Sequence, residues 1–341
     1  MNLLLTSVGR RSYLVEYFKN ALDHQGKVFV ANSTAASPAF LVADEAVVVP
    51  QIYDSEYIPF LLDYCQKKDI QAIISLFDID LPVLARHKEA FQLIGTEVLV
   101  SDFEFVDICN DKWKTYVYLK ENGVPVPKTY LDLDCAKKDL TDEKLQYPVM
   151  VKPRWGMGSI AVYQADNEEE MLVLYNKTKN EIKKSYLKYE SAQNIEESVL
   201  IQQKITGQEY GMDVINDLKG NYVDTIVKKK VAMRSGETDC AITVDNLNIR
   251  SLGEQIARMS NHIANLDVDV MQSEEGTNYV IEMNARFGGG YPFSHLAGVN
   301  LPQAIINWLL DKPVEKDMLT PRMGVFGQKD IRIVELPNFY S

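Results

Sequence analysis

The stretch NYVIEMNARFGGG, residues 278–290, sets Glu282, Asn284 and Arg286 two residues apart inside an apolar run and then ends in three glycines. Side chains alternate faces along a strand, so a carboxylate, an amide and a guanidinium share one face while Tyr279, Ile281 and Met283 take the other. The run DVDVMQ just upstream alternates in the same way. If Ser273 pairs with Asn278 across the four-residue loop, antiparallel register brings Asp269 opposite Glu282, about 5 Å away at Cβ. Two unpaired carboxylates that close repel, so something positive belongs between them. A hard divalent cation with oxygen ligands, shared with substrate phosphates, fits that need. A surface ion pair between Glu282 and Arg286, with Asp269 turned elsewhere, is the other reading.

A chain of 341 residues exceeds one ordinary core and suits two or three domains with a site between them. NLLLTS, KVFVA, QAIISL and EVLVS are strand-like, with helical spacing between them, as over Ser12–His24. This βαβ rhythm predicts an open parallel α/β domain over residues 1–110. Its first turn, SVGRR, has only Gly9 and so lacks a dinucleotide fingerprint; Arg10 and Arg11 either bind an anion or cap local structure. Asp78 and Asp80 end a strand where open sheets place ligand loops, and solvated helix caps fit equally well.

The second half reads as α+β with antiparallel hairpins. YPVMVKPRWGMGSIAVYQ gives two strands around a glycine-bearing loop, and a charged amphipathic helix covers 167–189. VLIQQKI is a strand, two more flank a turn at 217–221, and a helix over 247–265 leads into the hairpin. The net charge of −12 argues against a nucleic-acid surface. The four cysteines form no C-x-x-C pair, so neither a zinc ribbon nor a disulfide framework is indicated. No window approaches a membrane span, and the first apolar run is too short for a signal peptide, so a cytoplasmic location is expected.

Lys152 ends an apolar strand just ahead of Gly156, Gly158 and Ser159, and a buried lysine calls for an anion. Backbone N–H groups of such a loop approach phosphate oxygens closely, so lysine and loop form a polyphosphate clamp or an ordinary hairpin. Lys228 and Lys230 share a strand face, and with Arg234 they either reach a substrate or form a solvated basic hairpin.

From about Asp111 to Leu310 the chain resembles the ATP-grasp superfamily, and the first domain looks like the pre-ATP-grasp domain that precedes it. The resemblance rests on DK at 111–112, PVMVKPRWGMGSIAV, G-x-E at 207–209 and VDVMQSEEGTNYVIEMNARFGGG, in the family's order. It implies a fold of α/β and α+β parts: the open parallel sheet, a small ATP-grasp subdomain over 111–200, a large one over 201–320 and a carboxyl-terminal segment over 321–341. Lys112 and Lys152 would then contact the ATP phosphates, with the loop of Gly156, Gly158 and Ser159 closing over them. Gln202 stands where an adenine-facing Glu is usual, Gln203 and Ile205 would offer backbone groups to the base, and Glu209 would bind ribose. Asp269, Glu282 and Asn284 match the Mg²⁺ ligands, with Mn²⁺ as a substitute, and Arg286 the guanidinium that steadies the transferred phosphoryl group. Lys230 and Arg234 would assist it.

The implied chemistry is that of a carbamoyl-phosphate-synthase-like, stand-alone carboxylate-amine ligase. ATP activates a small carboxylate as an acyl phosphate, and an amine then displaces phosphate. Carbamoyl phosphate synthesis itself is disfavoured, since that enzyme uses two such units and a glutaminase segment. Gly288–Gly290 and YPFSHLAG look like the acceptor-side loop of those relatives. A homodimer is the family expectation. A catalytically inactive ATP-binding sensor is the alternative reading, and a dinucleotide oxidoreductase a third that rests only on the first domain.

Overall fold

The apolar runs of the first hundred residues become parallel strands β1 (Asn2–Thr6), β2 (Lys27–Asn32), β3 (Glu45–Val48), β4 (Ala72–Ser75) and β5 (Glu97–Val98) in the computed structural model, which describes residues 1–192 and 194–336. Parallel strands need crossovers, and helices Ser12–Leu22 and Tyr57–Lys68 supply two of them. The first packs on the face that carries Leu3 and Leu5, the second on the face that carries Leu4, so the sheet is covered on both sides. Strand order β3-β2-β1-β4-β5 places the topological switch point between β1 and β4.

Helices Phe103–Asn110 and Lys112–Glu121 lead into a four-stranded antiparallel sheet of β6 (Thr129–Tyr130), β7 (Val149–Pro153), β8 (Tyr163–Ala165) and β9 (Val199–Gln203), ordered β6-β9-β7-β8. Helix Glu168–Lys184 packs on it, capped by the Asn167 side chain, which accepts from the Glu170 N–H at 3.0 Å. The helix expected over 167–189 stops at Lys184, and a separate short helix, Leu187–Ser191, follows. Val149, Val151, Met171, Ile182 and Ile201 form a core belonging to this unit alone.

The third sheet holds β10 (Gly207–Asn216), β11 (Tyr222–Arg234), β12 (Glu237–Thr243), β13 (Ala264–Ser273), β14 (Asn278–Asn284) and β15 (Phe326–Gln328) in the order β14-β13-β10-β11-β12-β15. One apolar cluster runs from Leu4 and Phe29 through Phe105 to Met212, Val268 and Met283, so the first domain and this sheet share a core.

Two expected boundaries shift. A division at 200/201 would cut β9, whose ladder partners are β6 and β7, so the break falls in the 204–206 link. Residues 321–341 are not a separate segment, because β15 extends the large sheet through Cys240–Gln328 and Ile242–Phe326 pairing; residues 337–341 lie outside the described residues. The helix expected over 247–265 ends at Ser260, where Asn261 takes a left-handed φ of 46°. Among the described residues no helix is long and apolar enough to cross a membrane.

Candidate active site

The β13–β14 hairpin closes one residue away from the pairing its loop length suggested: Gln272, not Ser273, faces Asn278. A β-bulge then leaves Ile281 unmatched, and beyond it Asp269 faces Glu282 and Asp267 faces Asn284. The bulge also changes the buried set. Val280, Met283 and Ala285 enter the core, while Ile281, which alternation sets on the Met283 face, is only half-buried.

Cations surround this acidic face. Lys230 donates from Nζ to Asp269 Oδ1 at 2.6 Å and to Glu209 Oε1 at 2.7 Å. Burial alone would lower the Lys230 pKa, but the two carboxylates outweigh it and the net shift is upward. Gly211, opposite Asp269, leaves room for these side chains: a Cβ there would lie 3.4 Å from Lys230 Cε and 3.8 Å from Lys228 Cε. Lys228 is fully buried and paired with Asp213, which also accepts from the Ser294 hydroxyl and from Asn265 Nδ2. Arg286 bonds Asp78 through Nε and Nη2, at 3.0 and 2.9 Å, and Asp267 through Nη1 at 3.1 Å. Burial pushes the Asp267 carboxyl up to about 6, against the pull of Arg286 and with Asp269 and Asp213 adding to the rise. The first of the three glycines serves this pair, since a Cβ on Gly288 would fall 2.0 Å from Asp267 Cγ.

The small sheet supplies the opposite wall. Lys152, at the end of β7, donates to Gln202 Oε1 at 2.7 Å, and Gln202 Nε2 donates to Thr129 Oγ1 at 2.8 Å. Burial, then repulsion from Lys112, brings the Lys152 ammonium down to about 8, with Glu282 opposing. Lys112 opens its helix beside the glycine loop, because Asp111 caps that helix through the Trp113 N–H at 2.9 Å and grips Arg154 at the end of β7. Its Nζ donates to Gly156 O and lies 3.6 Å from Glu282 Oε1. Gly156 and Gly158 hold φ of 111° and 67°, and Gly158 O packs on the β11–β12 turn, where a Cβ at Gly236 would approach it to 2.7 Å.

Lys228, Lys230, Asp267, Asp269, Glu282, Asn284 and Arg286 thus surround one cavity of about 250 Å³, with Met157 and Gly158 at its rim. Ser159 is exposed beyond that rim, and Ile205 lies in the link between β9 and β10. The Gln202 side chain is spent inside the sheet orienting Lys152, and the Gln203 N–H is already given to Lys128 O at 2.8 Å. Arg234 stands apart from the cavity. Two register shifts near the end of β11 put Met233, itself 45% exposed, on the cavity lining, while the half-exposed Arg234 lies 3.4 Å from the buried Asp239.

Residue patterning left the roles of three contributors unassigned. Asp267 was legible, sharing the Asp269 face in DVDV. Asp213 shows no signal in sequence beyond one carboxylate in a strand. Asp78 was expected as a ligand-loop residue or a solvated cap, and it is a buried partner of Arg286; Asp80 is fully buried too.

Asp269, Glu282 and Asn284 offer only oxygen donors for Mg²⁺, the chemistry a hard cation takes. Among the described residues no group of three or more His, Cys, Asp or Glu side chains could hold a metal ion. Two carboxylates and an amide are a share of a shell that Mg²⁺ commonly completes with phosphate oxygens.

Comparison with known proteins agrees with this geometry. A PylC-like N-terminal domain model matches residues 3–99, and an ATP-grasp domain model matches residues 109–290. The carbamoyl phosphate synthase large chain of Thermoanaerobacter sp. (strain X514) is 23% identical over 72% of this chain and 22% of its own length. The C-terminal section of the Methanopyrus kandleri large chain is 26% identical over 62% of this chain and 39% of its own length. The chain thus spans well under half of these curated relatives. The biotin carboxylase domain of Hydrogenobacter thermophilus 2-oxoglutarate carboxylase superposes with a TM-score of 0.74 at 18% identity, over 95% of this chain and 73% of that one. L-amino acid ligase from Bacillus licheniformis gives 0.72 at 20% identity, over 95% and 78%. At such identities the likeness is one of fold. The ATP-grasp model spans residues 109–290 of the 341, the hairpin, both lysines and the glycine loop included, and the chain belongs to the ATP-grasp family.

Proposed function

We propose that the protein is an ATP-dependent carboxylate-amine ligase that phosphorylates a small acid and passes the acyl phosphate to an amine, releasing ADP and phosphate. The observation that carries this reading is the bulged hairpin, which sets Asp269 across from Glu282 between Lys230 on one side and Lys112 on the other.

Lys112 and Lys152 bind the phosphates of ATP, and the Gly156–Ser159 loop closes over them. Asp269, Glu282 and Asn284 hold Mg²⁺ (Mn²⁺ as a substitute), which supplies charge neutralisation at the phosphate oxygens. When ATP arrives, Lys230 serves Asp269 and Glu209 as a fixed counter-charge. The acid lies in the 250 Å³ cavity beside Gly289 and Gly290, its carboxylate oxygen aligned with the γ-phosphorus. That oxygen attacks phosphorus, the bond to the β-phosphate oxygen breaks, and ADP is formed. Arg286, fixed in position by Asp78 and Asp267, stabilises charge on the transferred group. The amine nitrogen then attacks the acyl carbon, phosphate leaves, and a proton passes to solvent. Positioning and charge stabilisation do this work, with no protein nucleophile required. A homodimer in the cytoplasm is the setting expected from the family.

The test is ADP release over a matrix of carboxylates and amines. A ligase gives turnover that depends on both members of a pair and on Mg²⁺. ATP that binds tightly with no pair stimulating ADP release would contradict the proposal.

A further inference from the structure

A second cavity, of about 360 Å³, lies at the carboxyl ends of the parallel strands. Loops leaving all of β1 to β4 wall it, contributing Ser7, Arg10, Asn32 and Phe77 among others. Loops that leave neighbouring strands in opposite directions open a crevice at the switch point, the general place for a ligand on an open α/β sheet. Arg11, Phe77 and Glu237 line this cavity and the ATP-side cavity alike, so the two meet at those side chains.

The floor is built rigidly. Asp80, fully buried, accepts from Thr6 Oγ1 at 2.5 Å, Tyr57 OH at 2.7 Å, Ser75 Oγ at 2.8 Å and Ser7 Oγ at 3.2 Å. Ser7 is thereby held at a φ of 54°, a conformation that costs energy and concentrates at ligand sites. The same turn opens the eleven-residue helix Ser12–Leu22, whose first turn has no side-chain cap and no acidic residue, with the Leu14 N–H given to Arg11 O at 3.0 Å. Arg10 is exposed at the rim, Arg11 lies beside it, and the lining's one carboxylate, Glu237, is paired with Lys329 at 3.2 Å. In a chain of net charge −12 this is a local basic pocket.

We propose that this cavity takes the amine substrate, held by an anionic group of its own against Arg10, Arg11 and the Ser7–Gly9 turn, with the amine directed past Glu237 to the ATP-side cavity. The substrate class is therefore an amine that carries a carboxylate or a phosphate. The inference rests on the ligase reading: one substrate fills the space beside the γ-phosphate, and the other approaches from the joined cavity.

Titration calorimetry on the full chain with a non-hydrolysable ATP analogue and Mg²⁺ tests it, using amino acids, their decarboxylated amines, O-phosphoethanolamine and ethanolamine. An anionic amine binds, its counterpart without the anion binds about tenfold more weakly or worse, and Arg10→Glu weakens the anionic amine by a similar factor. The carboxylate and phosphate arms identify the anion. Equal binding of amines lacking an anion, unchanged binding by Arg10→Glu, or no binding by any probe overturns the proposal. Hydroxylamine trapping of the acyl phosphate reads the ligase separately. Hydroxamate formation without probe binding overturns this site alone, and probe binding without hydroxamate from any acid overturns the ligase and leaves the site standing.

Discussion

Arg286, just past β14, and Asp78, in the amino-terminal domain, meet with Nη2 2.9 Å and Nε 3.0 Å from one carboxylate oxygen. Both side chains are under a tenth exposed, so the contact ties the sheet-end loop of the first domain to the β13–β14 hairpin. Removing one partner of a buried pair strands the other charge, at a cost of about 3–5 kcal/mol. Arg286 keeps Asp267 at 3.1 Å when Asp78 is gone, so Asp78→Ala is expected to fall at the lower end of that range, about 3 kcal/mol in urea unfolding, and to lose most of its ADP-forming activity. Arg286→Met added to it strands the Asp267 carboxylate, lowers stability further and recovers none of the activity.

The three glycines are not equivalent. Gly288 leaves no space for a Cβ against Asp267, whereas the nearest atoms at Gly289 and Gly290 stand 3.7 and 3.6 Å away. Gly288→Ala displaces Asp267 and with it Arg286, and kcat should fall about 100-fold, the scale of losing one charge-stabilising donor. Gly289→Ala should stay within about threefold, since ordinary van der Waals contact costs little. Steady-state ADP release on the two variants separates them.

Lys152 gives ATP binding a pH dependence of definite sign. Its pKa of about 8 in the free chain rises when a phosphate neighbours it, so above pH 8 binding takes up a proton. Affinity should fall with rising pH, approaching about tenfold per unit. Calorimetry in buffers of different ionisation enthalpy reads the proton uptake directly, and Lys152→Met abolishes it. Folding stability responds the other way. The unfolded chain, with a lysine pKa near 10.4, binds more protons between about pH 8 and 10.4, so the Lys152 contribution to stability rises across that window.

Much of this was legible because strand periodicity is short-range. Alternation in NYVIEMNARFGGG placed Glu282, Asn284 and Arg286 on one face, and the lysine ahead of the glycine loop ended a strand as expected. The Asp269–Glu282 pairing appears although its assumed closing pair is absent, because the bulge at Ile281 restores the register one step later. Bulges decided the failures as well: those in β11 put Met233 rather than Arg234 on the cavity lining. Such irregularities follow from how neighbouring strands twist and pack, which one strand's pattern does not encode. The Asp78–Arg286 and Asp213–Ser294 contacts bridge residues 208 and 81 positions apart, separations over which patterning carries no information.

The ligase proposed above depends on the Asp269–Glu282 pair working with the phosphates of ATP. Glu282 is a quarter exposed and among the described residues makes one long ion contact, 3.6 Å to Lys112, so Glu282→Gln should leave the fold intact. The direct measurement is single-turnover ADP formation at saturating ATP and Mg²⁺ by that variant, with an accepted acid present. A fall of about 100-fold or more, with thermal unfolding unchanged, is the predicted result. Full turnover by Glu282→Gln would contradict the account.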